Sequence, residues 1–343
     1  MFLRLKFLKM GRKRGILALT MLVLAVSCGR TGKSGRQAVS DSAAAGQPFP
    51  QLVVPKMIED PTERITYVIN HFWDRLADMS GVSDSLHVAG VLKEDVEKAF
   101  GEYSAILHNV ADVNALAQSV SKMFDAAEAC ERKDTSSNVF ETITGFAEKY
   151  FYDPNSPVRS EECYLAYLQR LVKSDFANPD MKPAYEFDLS MCSLNRIGEK
   201  AADIKFEDIN GKKYTLYGIR SDYTLLFFAN PGCPNCKEIT EGLIANSEVS
   251  ELVNAGKLKI VNIYIDEQID KWREFVPEYP REWLCGYDYN YIIRNDLTYS
   301  VRAIPSLYIL DKDKKVLLKD ATFEDVTAWI DKTYGEIYGR ERE

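Results

Sequence analysis

The sequence predicts two halves of different texture, an all-α half followed by an α/β half. Three observations carry this. From about Pro61 to Asn195, apolar residues recur at three- and four-residue spacing, the period of a helix with one buried face. From Gly198 onward, short apolar runs alternate with helical stretches, as when strands are buried between helices. Where one such strand meets the next helix stands Cys233-Pro234-Asn235-Cys236.

The chain opens with a basic region (Arg4, Lys6, Lys9, Arg12, Lys13, Arg14) and an apolar run from Ile16 to Val26. That run is too short to span a bilayer comfortably, so residues 1–27 are expected to be a cleaved secretory signal. Leu24-Ala25-Val26-Ser27-Cys28 resembles a bacterial lipobox, with Ala25 where the pattern prefers leucine. The resemblance implies that Cys28 is acylated and becomes the first residue of the mature protein. It also implies a cell-envelope lipoprotein of the outer membrane, facing the periplasm, because Gly29 is not an inner-membrane retention aspartate and no acidic cluster follows. Residues 28–55, rich in Gly, Ser and Ala, read as a flexible tether. Removing residues 1–27 takes away six basic and no acidic side chains, moving the formal charge from −8 to −14. An acidic mature chain lacks the basic footprint that nucleic acid requires.

Residues 56–194 are expected to form an all-α domain of five or six helices. Ile65, Val68, Ile69, Phe72, Trp73 and Leu76 make the first apolar stripe, with Pro61 near its start. Further stripes run over Val91 to His108, Val113 to Cys130, Val139 to Tyr152 and Glu161 to Val172. Thr135-Ser136-Ser137 offers capping side chains to the fourth, and the prolines of Asp153-Pro154-Asn155-Ser156-Pro157 force a turn before the fifth. Residues 195–343 are expected to form the α/β domain. Ile204-Lys205-Phe206 and Tyr214-Thr215-Leu216 flank a hairpin turn at Asn210-Gly211. Thr224 to Ala229 and Lys259 to Ile265 read as central strands, with a helix from Pro234 to about Val253 between them. A hairpin of Leu307–Leu310 and Lys315–Leu318 and a helix from Val326 to Ile337 complete the chain.

The placement of the Cys-x-x-Cys pair gives it chemistry. A helix N-terminus presents unsatisfied N–H groups and partial positive charge, which favour thiolate at Cys233. Lys237 adds positive charge just after the pair. Cys236, one turn on, is placed to attack a mixed disulfide from the same face. Pro234 removes a backbone donor beside the pair. The rival readings are a static disulfide or a fold relic without turnover.

Gly198-x-x-Ala201-x-Asp203-Ile204, Asp208-Ile209-Asn210-Gly211, Cys233–Cys236 and Ala303-Ile304-Pro305-Ser306 together resemble the thioredoxin fold, and more narrowly the TlpA/ResA-like envelope thiol oxidoreductases. The resemblance covers about Asn195 to Tyr338 and implies a central mixed sheet flanked by helices. It implies a nucleophile at Cys233, a resolving thiol at Cys236, and a cis bond before Pro305 that turns the Ile304 backbone towards an extended substrate chain. Pro234 is placed with Ile304 and Pro305 on the substrate side. Two departures stand out. Gly232 replaces the tryptophan usual before the first cysteine, and Phe227 falls where many relatives keep a buried acid near the resolving thiol. Glu274 is a candidate stand-in for that acid; slower exchange or a narrower substrate range is expected otherwise. In the helical half, Lys149 to Glu162 and Asn195-Arg196-x-Gly198 resemble a domain of unknown function that precedes thioredoxin-like domains in envelope lipoproteins. That resemblance names no activity.

Other chemistries fit less well. His71, His87 and His108 all lie in the helical half, so a metal site in the α/β half would lack imidazole, and one Cys-x-x-Cys supplies only two thiolates. No metal and no cofactor is expected, since no Gly-x-Gly-x-x-Gly occurs for nicotinamide or flavin. Asn230 stands where the peroxidase pattern Pro-x-x-x-Thr-x-x-Cys needs threonine. Cys130, Cys163, Cys192 and Cys285 either form two disulfides, in one of three connectivities that include Cys130–Cys163, or remain buried thiols. Trp272, Tyr279, Trp283, Tyr287, Tyr289 and Tyr291 are expected to pack as core or lid, a few bordering the groove beside Cys233. The expected activity is reduction of disulfides in envelope proteins, supplied by a membrane thiol donor. The alternative is a slow or non-catalytic binding and scaffolding lipoprotein.

Overall fold

The computed structural model describes residues 46–339, so the expected signal segment, Cys28 and most of the expected tether lie outside the described residues. In the helical half, α1 (Pro61–His71) begins where Asp60 accepts the Glu63 N–H at 2.8 Å, with Pro61 fixing the first turn. The first apolar stripe outlasts this helix: Leu76 sits in a separate 3₁₀ turn, Leu76–Asp78. A small hairpin, β1 (His87–Val88) and β2 (Val91–Leu92), interrupts the helical texture, so α2 (Lys93–His108) starts just after Val91. Then come α3 (Val113–Lys133) and α4 (Val139–Ala147), the latter continued by a π-helical turn, Glu148–Tyr152. Ser160 caps α5 (Glu161–Leu171) by accepting the Cys163 N–H at 3.3 Å. A sixth helix, α6 (Lys182–Cys192), carries Pro183 in its first turn and buries only Met191 and Cys192, which is why its stripe is faint. Phe100, Tyr103, Phe124, Phe151 and Tyr167 fill the core of this half. Burial of each such side chain stabilises the fold by about 1.5–3 kcal/mol.

The second half opens with the hairpin of β3 (Lys205–Glu207) and β4 (Lys213–Thr215). Asp208 Oδ1 accepts the N–H groups of Asn210 and Lys212, both at 2.9 Å, and Gly211 takes the left-handed φ of +79° that the turn needs. Next are β5 (Tyr223–Phe228), α7 (Pro234–Ala245), α8 (Ser247–Asn254), β6 (Leu258–Tyr264), α9 (Ile269–Phe275) and β7 (Leu284–Tyr287). Then α10 (Ile292–Asn295), β8 (Ser306–Asp311), β9 (Val316–Leu318) and α11 (Phe323–Tyr338) complete it. The strands form one seven-stranded sheet in the order β4-β3-β7-β6-β5-β8-β9. It is mixed: β5, β6 and β7 run parallel, whereas β8 is antiparallel to β5 and to β9. The helix expected from Pro234 to Val253 is broken at Asn246, whose side chain accepts the Glu248 and Val249 N–H groups and starts a new helix.

Alternate residues of β5 serve opposite faces of the sheet. Leu225 and Phe227 pack with Ile239, Leu243, Leu252 and Ile330. Leu226 and Phe228 pack with Phe206, Ile293 and Tyr299 on the other side.

Residues 46–339 fall in one compact unit, and charged residues join its two halves. Glu161 Oε1 accepts from Arg302 Nε at 3.1 Å, and Glu161 Oε2 lies 2.7 Å from Lys319 Nζ. Lys319 also donates to the carbonyls of Cys192 and Leu194, at 2.8 and 2.6 Å. Arg159 donates to the carbonyls of Asp320 and Ala321, at 2.9 and 3.0 Å. Glu162 takes Arg196 at 2.9 Å and the Ile197 N–H at 3.2 Å. His108 of α2 meets Asp325 of α11 at 2.9 Å. Arg159, Glu161 and Glu162 belong to the run whose resemblance named no activity; in the fold they are the joint.

Candidate functional site

The site is built where β5 leaves the sheet. Phe228 ends the strand, the Ala229 N–H still reaches the Ile263 carbonyl at 3.2 Å, and the chain then turns through Asn230-Pro231-Gly232. Gly232 has φ of +76°, a conformation that glycine adopts without a Cβ penalty. A tryptophan held at this φ would carry that penalty. Cys233 is then the N-cap of α7, with Pro234 in the first turn. Its Sγ accepts the Cys236 N–H at 3.4 Å, so the thiol occupies the position from which a helix end offers its free donors.

Cys233 is half-buried and Cys236 is 2 % exposed. Burial pushes the Cys236 thiol up, and its hydrogen bond with Cys233 adds to this; the Asn230 N–H pulls the other way. Across the site, Cys233 Sγ lies 3.8 Å from the Ile304 carbonyl oxygen, and the Ile304–Pro305 bond is cis. Cys233, Cys236, Ile304 and Pro305 therefore meet at one place. Pro234 is exposed at the rim. Lys237 is exposed and pairs loosely with Glu241 at 3.8 Å. Lys271 Nζ comes 3.8 Å from where a Cβ on Gly232 would stand, the nearest atom to that point. A niche of about 340 Å³ beside the loop is lined by Asn230, Pro231, Asp266, Gln268 and Lys271. A cleft of about 890 Å³ is lined wholly by the helical half, among Asp84, Glu131, Glu148 and Tyr185, and holds none of the dithiol residues.

Phe227 is fully buried in the same apolar cluster as Cys236. Glu274 does not replace the missing acid: it is exposed on α9, whose buried residue is Trp272. Sequence reasoning missed one buried polar group beside Phe227. In the row Leu307–Phe227–Asn262–Cys285 across the sheet, Asn262 is the polar member, 1 % exposed, with Nδ2 unpartnered. Burial pushes the Tyr279 hydroxyl up to about 12, and Cys285 and Cys236 add to the rise. An asparagine inside the otherwise apolar strand Lys259–Ile265 was the available signal.

Among the described residues all six cysteines are free thiols, and Cys130, Cys163, Cys192 and Cys285 are buried. Burial raises Cys130 to about 11 and Cys163 and Cys285 to about 12. No group of three or more His, Cys, Asp and Glu residues that could hold a metal occurs among the described residues. Nor is any described helix long and apolar enough to cross a membrane. Trp272 and Trp283 are buried core residues.

Comparison with known proteins places these features. Residues 27–195 match a family described as a domain of unknown function (DUF5106), and residues 221–316 match one described as thioredoxin-like. The crystal structure of a thioredoxin-like protein from Bacteroides caccae is 34% identical, covering 83% of this chain and 99% of that one at a TM-score of 0.72. The C-terminal domain of an uncharacterized protein from Bacteroides fragilis is 45% identical over 40% of this chain and 97% of its own, with a TM-score of 0.39. The thioredoxin domain of a thiol-disulfide oxidoreductase from Bacteroides vulgatus is 20% identical over 40% and 98%, with a TM-score of 0.36. No curated protein matches the chain.

Proposed function

The chain belongs to the thioredoxin-like family, with an N-terminal DUF5106 domain, and on that premise we propose that it reduces disulfides of protein partners through Cys233 and Cys236. The observation that carries this reading is the half-buried Cys233 at the mouth of α7, between the Cys236 N–H and the Ile304 carbonyl. Cys233 thiolate attacks one sulfur of a partner disulfide; a Cys233–partner bond forms, the partner S–S bond breaks, and one partner thiolate leaves. Cys236, deprotonated, then attacks Cys233 Sγ. The Cys233–Cys236 bond forms and the second partner thiolate leaves. Two electrons pass to the partner, and the two protons given up by the cysteines end on its thiols. A membrane thiol donor restores the dithiol by the reverse exchange. The Ile304 backbone beside Pro305 and the exposed Pro234 would seat the partner's extended chain.

The finer setting is also our proposal: Cys28 carries the lipid, and the protein faces the periplasm from the outer membrane. Turnover of a disulfide-linked peptide by the full chain and by Cys233→Ser tests the activity; equal rates would eliminate it. A Cys236→Ser variant is expected to trap the partner as a mixed disulfide. Phe227, in place of an acid, favours a second reading, a binding lipoprotein with slow exchange.

A further inference from the structure

We propose that the helical half is a clamp on the substrate-seating loop, with Glu161 as its positioning residue. Through Arg302, Glu161 holds the Ile304 backbone opposite Cys233 for an extended, cysteine-bearing segment of a protein partner. The inference rests on the redox reading above and deepens it by giving the helical domain a task.

The loop is fastened on both sides of Ile304. On one side Arg302 donates Nε to Glu161 at 3.1 Å and a terminal nitrogen to Asp320 Oδ2 at 2.8 Å. On the other side the Ser306 hydroxyl donates to Asp320 Oδ1 at 2.7 Å. Ala303, Ile304 and Pro305 are what lies between the two fastenings. Asp320 is itself fixed from the helical half, because Arg159 grips its carbonyl and Lys319, its neighbour, is bound to Glu161 and to the carbonyls of Cys192 and Leu194 at the end of α6. The Arg302 guanidinium lies over the Tyr152 ring, 4.1 Å from its centre, so the π-helical turn also bears on the loop.

The ions are withdrawn from water: the side chains of Glu161, Lys319, Asp320 and Arg302 are 3, 2, 8 and 13 % exposed. Buried ion groups of this kind add little stability over apolar packing, and what they supply is a fixed geometry. Arginine supplies it best, since its planar fork binds two carboxylates in set directions. A loop ordered before binding spares an incoming peptide the entropy of ordering it.

The test uses the full chain, wild type and with Glu161→Gln, Arg302→Lys and Cys233→Ser. Hydrogen exchange over residues 302–307 is read together with reduction of a disulfide-linked peptide and of dithionitrobenzoate, which is too small to need the loop. For Glu161→Gln we expect loop exchange about tenfold faster with exchange in α3 unchanged. We expect KM for the peptide to rise about tenfold, with kcat and the dithionitrobenzoate rate within twofold. Arg302→Lys, which keeps the charge and loses the fork, moves the same readouts in the same direction and serves if Glu161→Gln does not fold. Unchanged loop exchange overturns the clamp, as does an equal fall in both disulfide rates, which marks general damage. If Cys233→Ser leaves both wild-type rates unaltered, the redox reading falls and the seating task falls with it, whatever the exchange shows.

Discussion

Cys233 Sγ faces the carbonyl oxygen of Ile304 at 3.8 Å, although the two residues are 71 positions apart in the chain. One comes from the mouth of α7 and the other from the loop into β8, and β5 pairs directly with β8 beneath them. The sheet fixes the distance.

Burial separates the thiols. Cys236, Cys130, Cys163, Cys192 and Cys285 are buried and their thiols are shifted upward, whereas Cys233 is half-buried. In the reduced, folded chain, iodoacetamide at neutral pH is expected to modify Cys233 and leave these five intact for at least tenfold longer. Mass spectrometry of the digested protein checks this, and guanidinium should abolish the difference.

The His108–Asp325 pair predicts a pH dependence. The hydrogen bond to Asp325 raises His108 above its ordinary 6.5, and that bond helps hold Asp325 below 3.8 against the opposing effect of burial. The raised histidine contributes stability that is full below pH 6.5 and is lost as pH climbs through its folded value; the lowered aspartate contributes above pH 3.8 and fades as pH falls through its own. The window is therefore about pH 4–6.5. His108→Gln should cost on the order of 1 kcal/mol at pH 5.5 and much less at pH 8.5, as read from urea midpoints.

Gly286→Ala tests the packing of the sheet. A Cβ there would collide with the Phe206 ring and stand 3.1 Å from the Glu207 carbonyl oxygen, and the second contact is backbone that cannot turn away. The expected loss is about 1–3 kcal/mol in denaturant unfolding. A neutral result would mean that β3 and β7 slide apart freely.

Tyr279→Phe bears on the second step of exchange. Tyr279 packs against the apolar cluster that holds Cys236 and Phe227, and Asn262 stands beside Phe227 in the sheet. Removing the hydroxyl should lengthen the life of the mixed disulfide roughly tenfold while leaving its formation within twofold. Quenched-flow trapping separates the two rates, and parallel slowing of both would refute the assignment.

Much of this was legible in the chain. The two textures, the hairpin at Asn210-Gly211, the central strands and the helix after Cys233 all follow from periodicity and turn chemistry. What escaped has physical reasons. α6 buries too little to print a stripe, and β7 is a four-residue strand whose Cys285-Gly286 pair lacks the β-branched signature. Asn246 ends one helix and caps the next with no proline or glycine to mark the break. The Glu161–Arg302 pair spans 141 positions and leaves no local trace in the chain.

Lys319 has a consequence for anyone wishing to cut the chain. Its ammonium finds Glu161, Cys192 and Leu194, and all three lie upstream of residue 195. A recombinant cassette that begins there would hand this cation to bulk solvent and take from Arg302 one of its two carboxylates. On the clamp reading, such a cassette would hold the Ile304 loop less firmly than the full chain does.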